Sequence, residues 1–466
     1  MQESVKTIRL WQMIYLGKGA SVVRQIIHAI ISIALRLFFR RIEVVGVDRV
    51  PQEGALLFVL NHPNGLVDPA LVFVSLPRRV SFLAKSTLYD NPIGAFLLRT
   101  FEILPVYRRI DPQAKLESNL STFDNCFELL RRGRCIAIFP EGISHDQPQL
   151  QKMKTGAARI ALGAVSDPAV PTTLKIVPVG LYYTSKTSFR SEALIRYGEI
   201  FDVEPIDLDE KGEPPRDAVA ALTERIETSL RDVTLNLETE TELDTVVRAE
   251  ALFSSVFENL IFKRTLTETV SKLQDLAAKY ALLEKNDPQK MLDLNAKVTR
   301  YENDLKMSGV TTESLSVLQH PTWYVFRYLV LRVMFLITFS PLAIAGAIIH
   351  SPAYVFSNLM GRIFTTHDTD VAGSSSAIIA SLGLMPLTWA VVASILWYYF
   401  GWEIALISIP VTILCGYIAL RSSETLIDMR VWLTSGWLLF RQRALFFRLL
   451  VQRQSLQKEI GELTEK

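Results

Sequence analysis

The sequence predicts a layered α/β domain with a central mixed sheet, followed by a helical segment and by C-terminal transmembrane helices. Short apolar runs alternate with helical patterns in the first half, a charged helical stretch follows, and long uncharged runs lie near the end. Only 21% of the 466 residues are charged, fewer than in an average soluble protein. The predicted segments are 1–41 with interfacial amphipathic helices, 42–235 with the α/β domain, 236–318 with coiled-coil-like helices, and 319–466 with the membrane domain.

The N-terminal segment contains an apolar stretch at residues 24–40 that carries one polar stripe. Apart from Gln25, its polar residues recur at every fourth position: Arg24, His28, Ser32, Arg36 and Arg40. A helix of this kind is too short and too charged to span a bilayer, so the pattern favours a helix in the headgroup layer with its apolar face toward acyl chains. The alternative is a core helix packed on the sheet. The stretch lacks the small-residue cleavage site of a signal peptide.

The α/β domain is indicated by strand-like runs separated by helical patterns. The predicted strands are 55–60, 81–84, 102–106, 135–139 and 174–179. A helix ending before Gly133 is predicted to bury one face, which comprises Leu116, Leu120, Phe123, Phe127 and Leu130. In such folds the loops at strand ends are the expected location of chemistry.

The first candidate site follows the run at 55–60, where residues 61–68 read Asn-His-Pro-Asn-Gly-Leu-Val-Asp. A histidine has an ordinary pKa of about 6.5, so near neutral pH it accepts a proton from a hydroxyl. A carboxylate on its other ring nitrogen fixes the tautomer and stabilises the imidazolium. His62 is therefore the candidate base and Asp68 its orienting partner. The alternative is a structural turn in which His62 caps a backbone group and Asp68 starts the next helix.

The second candidate site follows the run at 135–139, where residues 140–145 read Pro-Glu-Gly-Ile-Ser-His. Two polar loops after two neighbouring strands predict one active site. Ser144, His145 and Asp146 are adjacent in sequence and cannot adopt the relayed geometry of a catalytic triad, so a covalent serine mechanism is not expected. No metal site is predicted, because no second His or Cys stands at ligand spacing from His62.

These blocks resemble the glycerolipid phosphate acyltransferase family, which joins an acyl thioester to a glycerol hydroxyl. The matching blocks are 61–68, 103–108, 139–142, 154–156 and 177–180, in the family's order and spacing. The resemblance implies catalytic roles for His62 and Asp68. It also implies substrate binding by a further set of residues, which are Arg108, Glu141, Gly142, Ser144 and Lys154. Glu141 could instead cap the helix that follows, and Gly142 could serve a plain turn.

Two departures from the common family pattern favour one branch. Five residues separate His62 and Asp68, where most members have four, and the Pro-Glu-Gly block continues Ile-Ser-His-Asp rather than Thr-Arg-Ser. Both features are similar to the eukaryotic-type branch that acylates glycerol 3-phosphate or dihydroxyacetone phosphate. The second departure removes an arginine, so the acceptor phosphate is expected to rely on Arg108, Arg109, Lys154 or backbone N–H groups.

The rest of the chain predicts helices and membrane spans. Two heptad-spaced runs broken by Asn-Asp-Pro at 286–288 predict an antiparallel helical pair. Residues 377–400 and 404–420 predict a transmembrane hairpin, and 333–349 predicts a third span or a re-entrant helix, with Arg332 at its boundary. Residues 421–453, in which arginines alternate with aromatic residues, predict a basic amphipathic tail on an anionic surface.

The expected protein is a membrane acyltransferase of phospholipid synthesis, with its catalytic domain on the cytoplasmic face. Its expected partners are membrane lipids, an acyl-CoA or acyl carrier protein thioester as co-substrate, and a phosphorylated glycerol acceptor, with no cofactor, no nucleic acid and an open oligomeric state. Cys126, Cys135 and Cys415 show no paired spacing, which agrees with a reducing compartment. The alternatives are a lysophospholipid acyltransferase and a non-catalytic lipid-binding scaffold.

Overall fold

The computed structural model describes most of the chain in two compact units. The described residues are 5–7, 22–90, 95, 98–99, 102–107, 118–145, 147–166, 173–186, 188–210, 212–253, 265–309, 322–365 and 373–464. The first unit comprises Met1–Asn236 with Gly361–Ile378, and the second comprises Leu237–Met360 with Ile379–Lys466.

The first unit is built on one sheet, in which the described residues form nine strands. The strands are β1 (Val5–Thr7), β2 (Arg41–Val45), β3 (Ala55–Leu60), β4 (Val80–Lys85), β5 (Leu104–Val106), β6 (Cys135–Ile138), β7 (Leu174–Tyr183), β8 (Glu192–Tyr197) and β9 (Phe201–Val203). Their order is β1-β2-β8-β7-β3-β6-β4-β5, and β9 pairs with β7. Strand β3 runs parallel to β6 and β7, whereas β7 is antiparallel to β8 and β9. The predicted mixed sheet is confirmed, and the two site-bearing strands are neighbours.

Helices cover both faces of this sheet. They are α1 (Val22–Phe38), α2 (Val67–Ser75), α3 (Ser118–Arg131), α4 (Gly156–Val165) and α5 (Arg216–Val233). All six residues of β3 are buried, and because side chains alternate along a strand they enter two separate cores. Leu56, Phe58 and Leu60 pack with α1 and α2, while the alternate residues pack with α3, α4 and α5. The layered α/β architecture is confirmed.

Helix α1 turns its polar stripe inward and its apolar face outward. Arg24, His28 and Ser32 are buried. The His28 ring lies 5.1 Å from the ring of Phe73 on α2, and the Arg24 guanidinium carbon lies 5.6 Å from that ring. Six large apolar side chains of α1 are exposed: Val22, Val23, Ile26, Ile30, Ile33 and Leu37. The helix therefore combines the two predicted alternatives, since it packs on the domain and still presents an apolar surface.

The predicted buried face of α3 is wrong at one residue, Leu120. Leu120 is 63% exposed, whereas Leu130 is fully buried and Phe123 and Phe127 pack against the core. Leu120 lies in the first turn of α3. Helical spacing alone could not show that the buried face begins only after this turn. Leu116 lies outside the described residues.

The second unit is helical. Its helices include α6 (Glu240–Phe253), α7 (Leu266–Asn286), α8 (Pro288–Ser308), most of α9 (Thr322–Thr365), most of α10 (Gly373–Phe400), α11 (Trp402–Arg441) and α12 (Arg443–Thr464). The predicted break between α7 and α8 is confirmed, because the Asp287 side chain accepts a hydrogen bond from the Lys290 N–H at the start of α8. The residues predicted to carry the apolar pattern of α8 are buried: Leu294, Val298, Tyr301 and Leu305.

The C-terminal tail differs from the prediction of a basic helix on an anionic surface. Phe446 and Leu449 of α12 are buried in the same core as α8. The guanidinium of Arg453 is also buried and donates 2.8 Å to the carbonyl oxygen of Leu252. Arg453 thus satisfies a carbonyl group inside a helical core, so the alternation of arginine and aromatic residues did not indicate a lipid surface at this part of α12.

Within the part of the chain that the structure describes, three helices are long and apolar enough to cross a membrane. The candidate spans are Phe326–Met360, Ala380–Phe400 and Trp402–Arg430, and the last two are joined at Gly401, whose φ of +92° only glycine adopts readily. Helix α9 continues through Pro341, so the third span is a continuous helix. Arg332 lies six residues after the start of the first candidate span and donates 3.2 Å to the Thr425 hydroxyl of α11, and its place at the membrane boundary stays a prediction.

Candidate active site

The two predicted polar loops meet at one edge of the sheet. His62 follows β3 and Glu141 follows β6, and these strands are parallel and adjacent. The carboxyl ends of parallel neighbours open at the same edge, where α/β folds hold their ligands. The sequence therefore placed both motifs at one site from strand position alone.

A histidine–carboxylate pair lies at the centre of this edge. His62 Nδ1 lies 2.8 Å from Asp68 Oδ2, and the Asp68 side chain is fully buried while that of His62 keeps 19% of its surface exposed. An ionised carboxylate only accepts hydrogen bonds, so Nδ1 carries the hydrogen and Nε2 keeps the lone pair. No described residue forms a hydrogen bond with Nε2. The ring is thus arranged to accept a proton at Nε2.

Asp68 is held by two further donors. The Asn64 N–H donates 2.7 Å to Oδ2, and the Tyr183 hydroxyl donates 2.5 Å to Oδ1. Burial and the neighbouring Asp68 charge raise the pKa of Tyr183 well above its ordinary value, so the hydroxyl stays protonated and donates. Three donors fix the carboxylate, and the carboxylate in turn fixes the His62 ring. The ring also stacks on Phe139, with centroids 4.0 Å apart.

Glu141 ties the second loop to the first. Its Oε1 accepts the His62 N–H at 3.0 Å, and its Oε2 accepts the Gln151 N–H at 2.8 Å. The His145 ring contacts the same Oε2 at 2.5 Å, and the His145 N–H donates 3.2 Å to the His62 carbonyl oxygen. The alternative of a helix cap does not fit, because the next helix begins at Gly156. Acceptor binding by Glu141 stays a prediction.

Ser144 and Gly65 make a further contact between the loops. The Gly65 N–H donates 2.9 Å to the Ser144 hydroxyl oxygen, and both residues are buried. Gly65 has a φ of +48°, which glycine tolerates at little cost. Ser144 therefore supports the turn that carries the histidine, and its proposed contact with substrate stays a prediction.

Gly142 and Lys154 lie beside Glu141. Gly142 has a φ of +73°, and a Cβ there would lie 3.5 Å from Lys154 Cγ. The Lys154 N–H donates 2.7 Å to the Pro140 carbonyl oxygen, and its side chain is exposed. Arg108 and Arg109 lie outside the described residues. The structure thus brings together His62, Asp68, Glu141, Gly142, Ser144 and Lys154.

Sequence reasoning missed two residues of this site that follow or end β7. Tyr183 is its last residue, and Lys186 follows three positions later. The Lys186 ammonium donates 3.4 Å to the His145 carbonyl oxygen, and the Lys186 carbonyl accepts 3.2 Å from the Asn64 side chain. The predicted strand ended at residue 179, four residues short of the observed end of β7, so neither Tyr183 nor Lys186 was predicted to lie at the site. Within the described ranges, no three His, Cys, Asp or Glu side chains are grouped as a metal site requires.

Comparison with known proteins finds similarity in two segments of the chain. Residues 41–182 match the family described as Acyltransferase, and residues 260–466 match the glycerol-3-phosphate acyltransferase 2 C-terminal domain. Both matched segments are thus similar to glycerolipid phosphate acyltransferases, as the sequence motifs predicted. The second match is to the branch that the five-residue spacing and the Ile-Ser-His-Asp continuation favoured, so the predicted resemblance to that branch is confirmed.

Yeast and plant relatives show the same relationship. Glycerol-3-phosphate O-acyltransferase 2 of Saccharomyces cerevisiae is 34% identical over 246 residues, covering 51% of this chain and 31% of the relative. Glycerol-3-phosphate O-acyltransferase 1 of the same yeast is 26% identical over 445 residues, covering 75% and 57%. A chloroplastic 1-acyl-sn-glycerol-3-phosphate acyltransferase of Brassica napus is 25% identical, covering 36% and 45%. The chain thus matches less than two thirds of the length of each of these relatives.

Proposed function

We propose that this acyltransferase moves a fatty acyl group from acyl-CoA or acyl carrier protein to a hydroxyl of glycerol 3-phosphate or dihydroxyacetone phosphate. The observation that carries the proposal is the His62–Asp68 pair, joined at 2.8 Å, with Nε2 directed away from its carboxylate. The names of the two yeast relatives support glycerol 3-phosphate as the acceptor. No cofactor takes part, and the acyl thioester is a co-substrate.

In the proposed reaction the acceptor hydroxyl attacks the thioester carbonyl while His62 Nε2 takes the hydroxyl proton. The new carbon–oxygen bond gives a tetrahedral intermediate, and its collapse breaks the carbon–sulfur bond. The departing thiolate then takes the proton back from the imidazolium. Asp68 stabilises that imidazolium through Nδ1 and keeps the ring in one tautomer.

Ser144 has no part as a nucleophile in this proposal. Its hydroxyl oxygen accepts the Gly65 N–H, and among the described residues it has no hydrogen bond to a histidine. Without a neighbouring base a serine hydroxyl is a weak nucleophile near neutral pH. Direct attack by the acceptor therefore needs fewer groups than a covalent acyl-serine.

Cationic side chains at the site edge are proposed to bind the acceptor phosphate. Lys154 lies over Gly142, and Lys186 reaches the carbonyl of His145, so both ammonium groups flank the loop after β6. Ammonium and guanidinium groups form charge-assisted hydrogen bonds with phosphate oxygens. We add Lys186 to the predicted phosphate contacts, which are Arg108, Arg109, Lys154 or backbone N–H groups. Glu141, Gly142 and Ser144 complete the proposed acceptor site.

The proposed catalytic unit lies on the cytoplasmic face of a membrane. Three apolar helices and the exposed apolar face of α1 support membrane association. Cys126 and Cys135 are unpaired, as is usual for a reducing compartment, which is where acyl-CoA and acyl carrier protein occur. The orientation is tested by protease access to the first unit in sealed vesicles.

A lysophospholipid acceptor is the second candidate, favoured by the resemblance to the plant 1-acyl-sn-glycerol-3-phosphate acyltransferase. The deciding experiment offers the purified full chain a labelled acyl donor with glycerol 3-phosphate, dihydroxyacetone phosphate or lysophosphatidate separately. We expect product with one of the first two acceptors, and none from His62→Ala. Product with lysophosphatidate alone would establish the second candidate. A folded wild-type chain inactive with every acceptor would refute catalysis and leave a lipid-binding scaffold.

A further inference from the structure

Arginine side chains gather around one carboxylate at the edge of the sheet opposite the proposed active site. Arg79 immediately precedes β4 and Arg134 immediately precedes β6. Arg79 Nη2 donates 2.5 Å to Glu102 Oε1, and Arg134 Nη2 donates to Glu102 Oε2. Arg79, Arg134 and Glu102 are each partly exposed. One carboxylate is therefore shared between two cations.

Arg24 of α1 adds a third positive charge to this group. Its pKa is lowered to about 10, mainly by burial; the charges of Arg79 and Arg134 also lower the pKa, and that of Glu102 raises it. Its guanidinium carbon lies 5.6 Å from the ring of Phe73 in the last turn of α2, and the chain runs from there through Arg79 into β4. Arg79 and Arg134 together carry one more positive charge than Glu102 neutralises, and a bound anion would offset that charge.

The same end of α1 begins the exposed apolar face. Val22 is 69% exposed and Val23 is 48% exposed, and they flank the buried Arg24 directly in sequence. Exposed apolar side chains continue along the helix to Leu37. Contiguous apolar surface of this kind marks a contact with a protein or a membrane. An arginine group at the end of an apolar helix face matches the boundary between lipid headgroups and acyl chains.

We propose that Arg24, Arg79 and Arg134 form a binding site for the phosphate of an anionic membrane lipid whose acyl chains lie along the apolar face of α1. The two exposed guanidinium groups make the direct contacts, since their planar N–H donors match phosphate oxygens. This inference rests on the proposed position of α1 at a bilayer and not on the acyl-transfer chemistry. A free phosphate would use the same donors, but the adjacent apolar surface favours a ligand with acyl chains.

The test measures which lipid lies next to α1 in the full chain. All three native cysteines are buried, so Val22→Cys provides a selective position for a fluorescent dye. The labelled chain is placed in bilayer nanodiscs that contain spin-labelled phosphatidylserine or spin-labelled phosphatidylcholine, and quenching reports the local lipid. A basic residue at an anionic surface contributes about 1 kcal/mol, or about fivefold in a binding constant. We expect phosphatidylserine to be enriched at least about fivefold over phosphatidylcholine.

Charge variants separate this site from general surface attraction. The double variant Arg79→Gln with Arg134→Gln should remove most of the enrichment. Glu102→Gln should increase it, because it removes the competing carboxylate and keeps both arginines. The matched control changes Arg225 and Arg231 to glutamine, since both lie on α5 at the opposite face of the sheet. That control should leave the enrichment unchanged.

Several outcomes would overturn the inference. They are equal quenching by the two lipids, equal losses in the arginine and control variants, or a decrease for Glu102→Gln. Displacement of phosphatidylserine by inorganic phosphate, beyond the effect of chloride at the same ionic strength, would make this a site for soluble anions. Acyl transfer is measured on the same preparations, so an inactive wild type that still enriches phosphatidylserine would count against the proposed function alone.

Discussion

Replacing Asp68 by asparagine tests the proposed base most directly, because it removes a charge and preserves a shape. The asparagine carbonyl oxygen can occupy the position of Oδ2 and accept the N–H groups of Asn64 and the His62 ring. Its amide group then faces Tyr183, whose hydroxyl oxygen can accept. The hydrogen-bond pattern survives, and the stabilisation of the imidazolium is lost.

The size of the effect follows from that loss. Positioned proton transfer contributes about 10² to 10⁴ in rate, which is about 3 to 5 kcal/mol of the activation barrier. We expect Asp68→Asn to lower kcat by about two to three orders of magnitude. The KM for the acceptor should change by less than about threefold, because Asp68 is buried behind the ring and does not reach the substrate.

The assay follows transfer from a labelled acyl donor to glycerol 3-phosphate over a range of acceptor concentrations. The matched control is Asp202→Asn, which changes an exposed carboxylate paired with Lys175 at 2.7 Å on the sheet. This control should keep kcat within about twofold, since exposed ion pairs contribute little. A kcat for Asp68→Asn close to that of the control, in protein with unchanged thermal unfolding, would refute the assigned role.

Three further predictions concern the loops and the buried thiols. Glu141→Gln should lower the unfolding free energy by about 2 to 3 kcal/mol, because the buried amide N–H₂ would face a backbone N–H donor. Thermal denaturation in detergent measures this, and an unchanged midpoint would contradict it. Ser144→Ala should reduce kcat about tenfold while the unfolding free energy falls by about 1 to 2 kcal/mol, since the buried Gly65 N–H loses its acceptor; wild-type turnover would show that this contact is dispensable. Burial raises the pKa of Cys126 to about 12 and that of Cys135 to about 11, so both stay as thiols at pH 8. Both should react with a disulfide reagent only after unfolding, and rapid labelling of either position in the native protein would disprove their burial.

The sequence was sufficient for the site where the relevant signals were local. Strand β3 spans the predicted residues 55–60 because a wholly apolar run bounded by turn residues fits a strand buried on both faces. The turn after β3 places His62 and Asp68 at the same edge of the sheet as Glu141. Neighbouring parallel strands and short motifs after them were enough to bring these side chains together.

The parts that sequence reasoning missed depend on contacts between distant positions. Tyr183 is separated from Asp68 by 115 positions, and no periodic pattern links them. One carboxylate oxygen of Glu141 accepts the N–H of His62, which precedes it by 79 positions, and the other accepts the N–H of Gln151, which follows it by 10. A short motif cannot specify these two partners. The arginine-rich α12 packs in a core with α8, where Arg453 donates to the carbonyl oxygen of Leu252, a partner 201 positions away.

The loop between β7 and β8 explains how the apolar helix and the histidine keep a fixed relation within the first unit. Arg190 Nη1 donates to three carbonyl groups at and just after the C-terminal end of α1, at 3.0 to 3.2 Å, where helix carbonyls lack intrahelical donors. The same loop carries Lys186, whose carbonyl accepts the Asn64 side chain next to His62. Helix α1 therefore cannot slide along its axis without moving the turn that holds the ring. In the proposed placement at a bilayer, this link sets the distance from the lipid surface to Nε2, and the thioester must span that distance with its carbonyl at the ring and its acyl chain in the apolar layer.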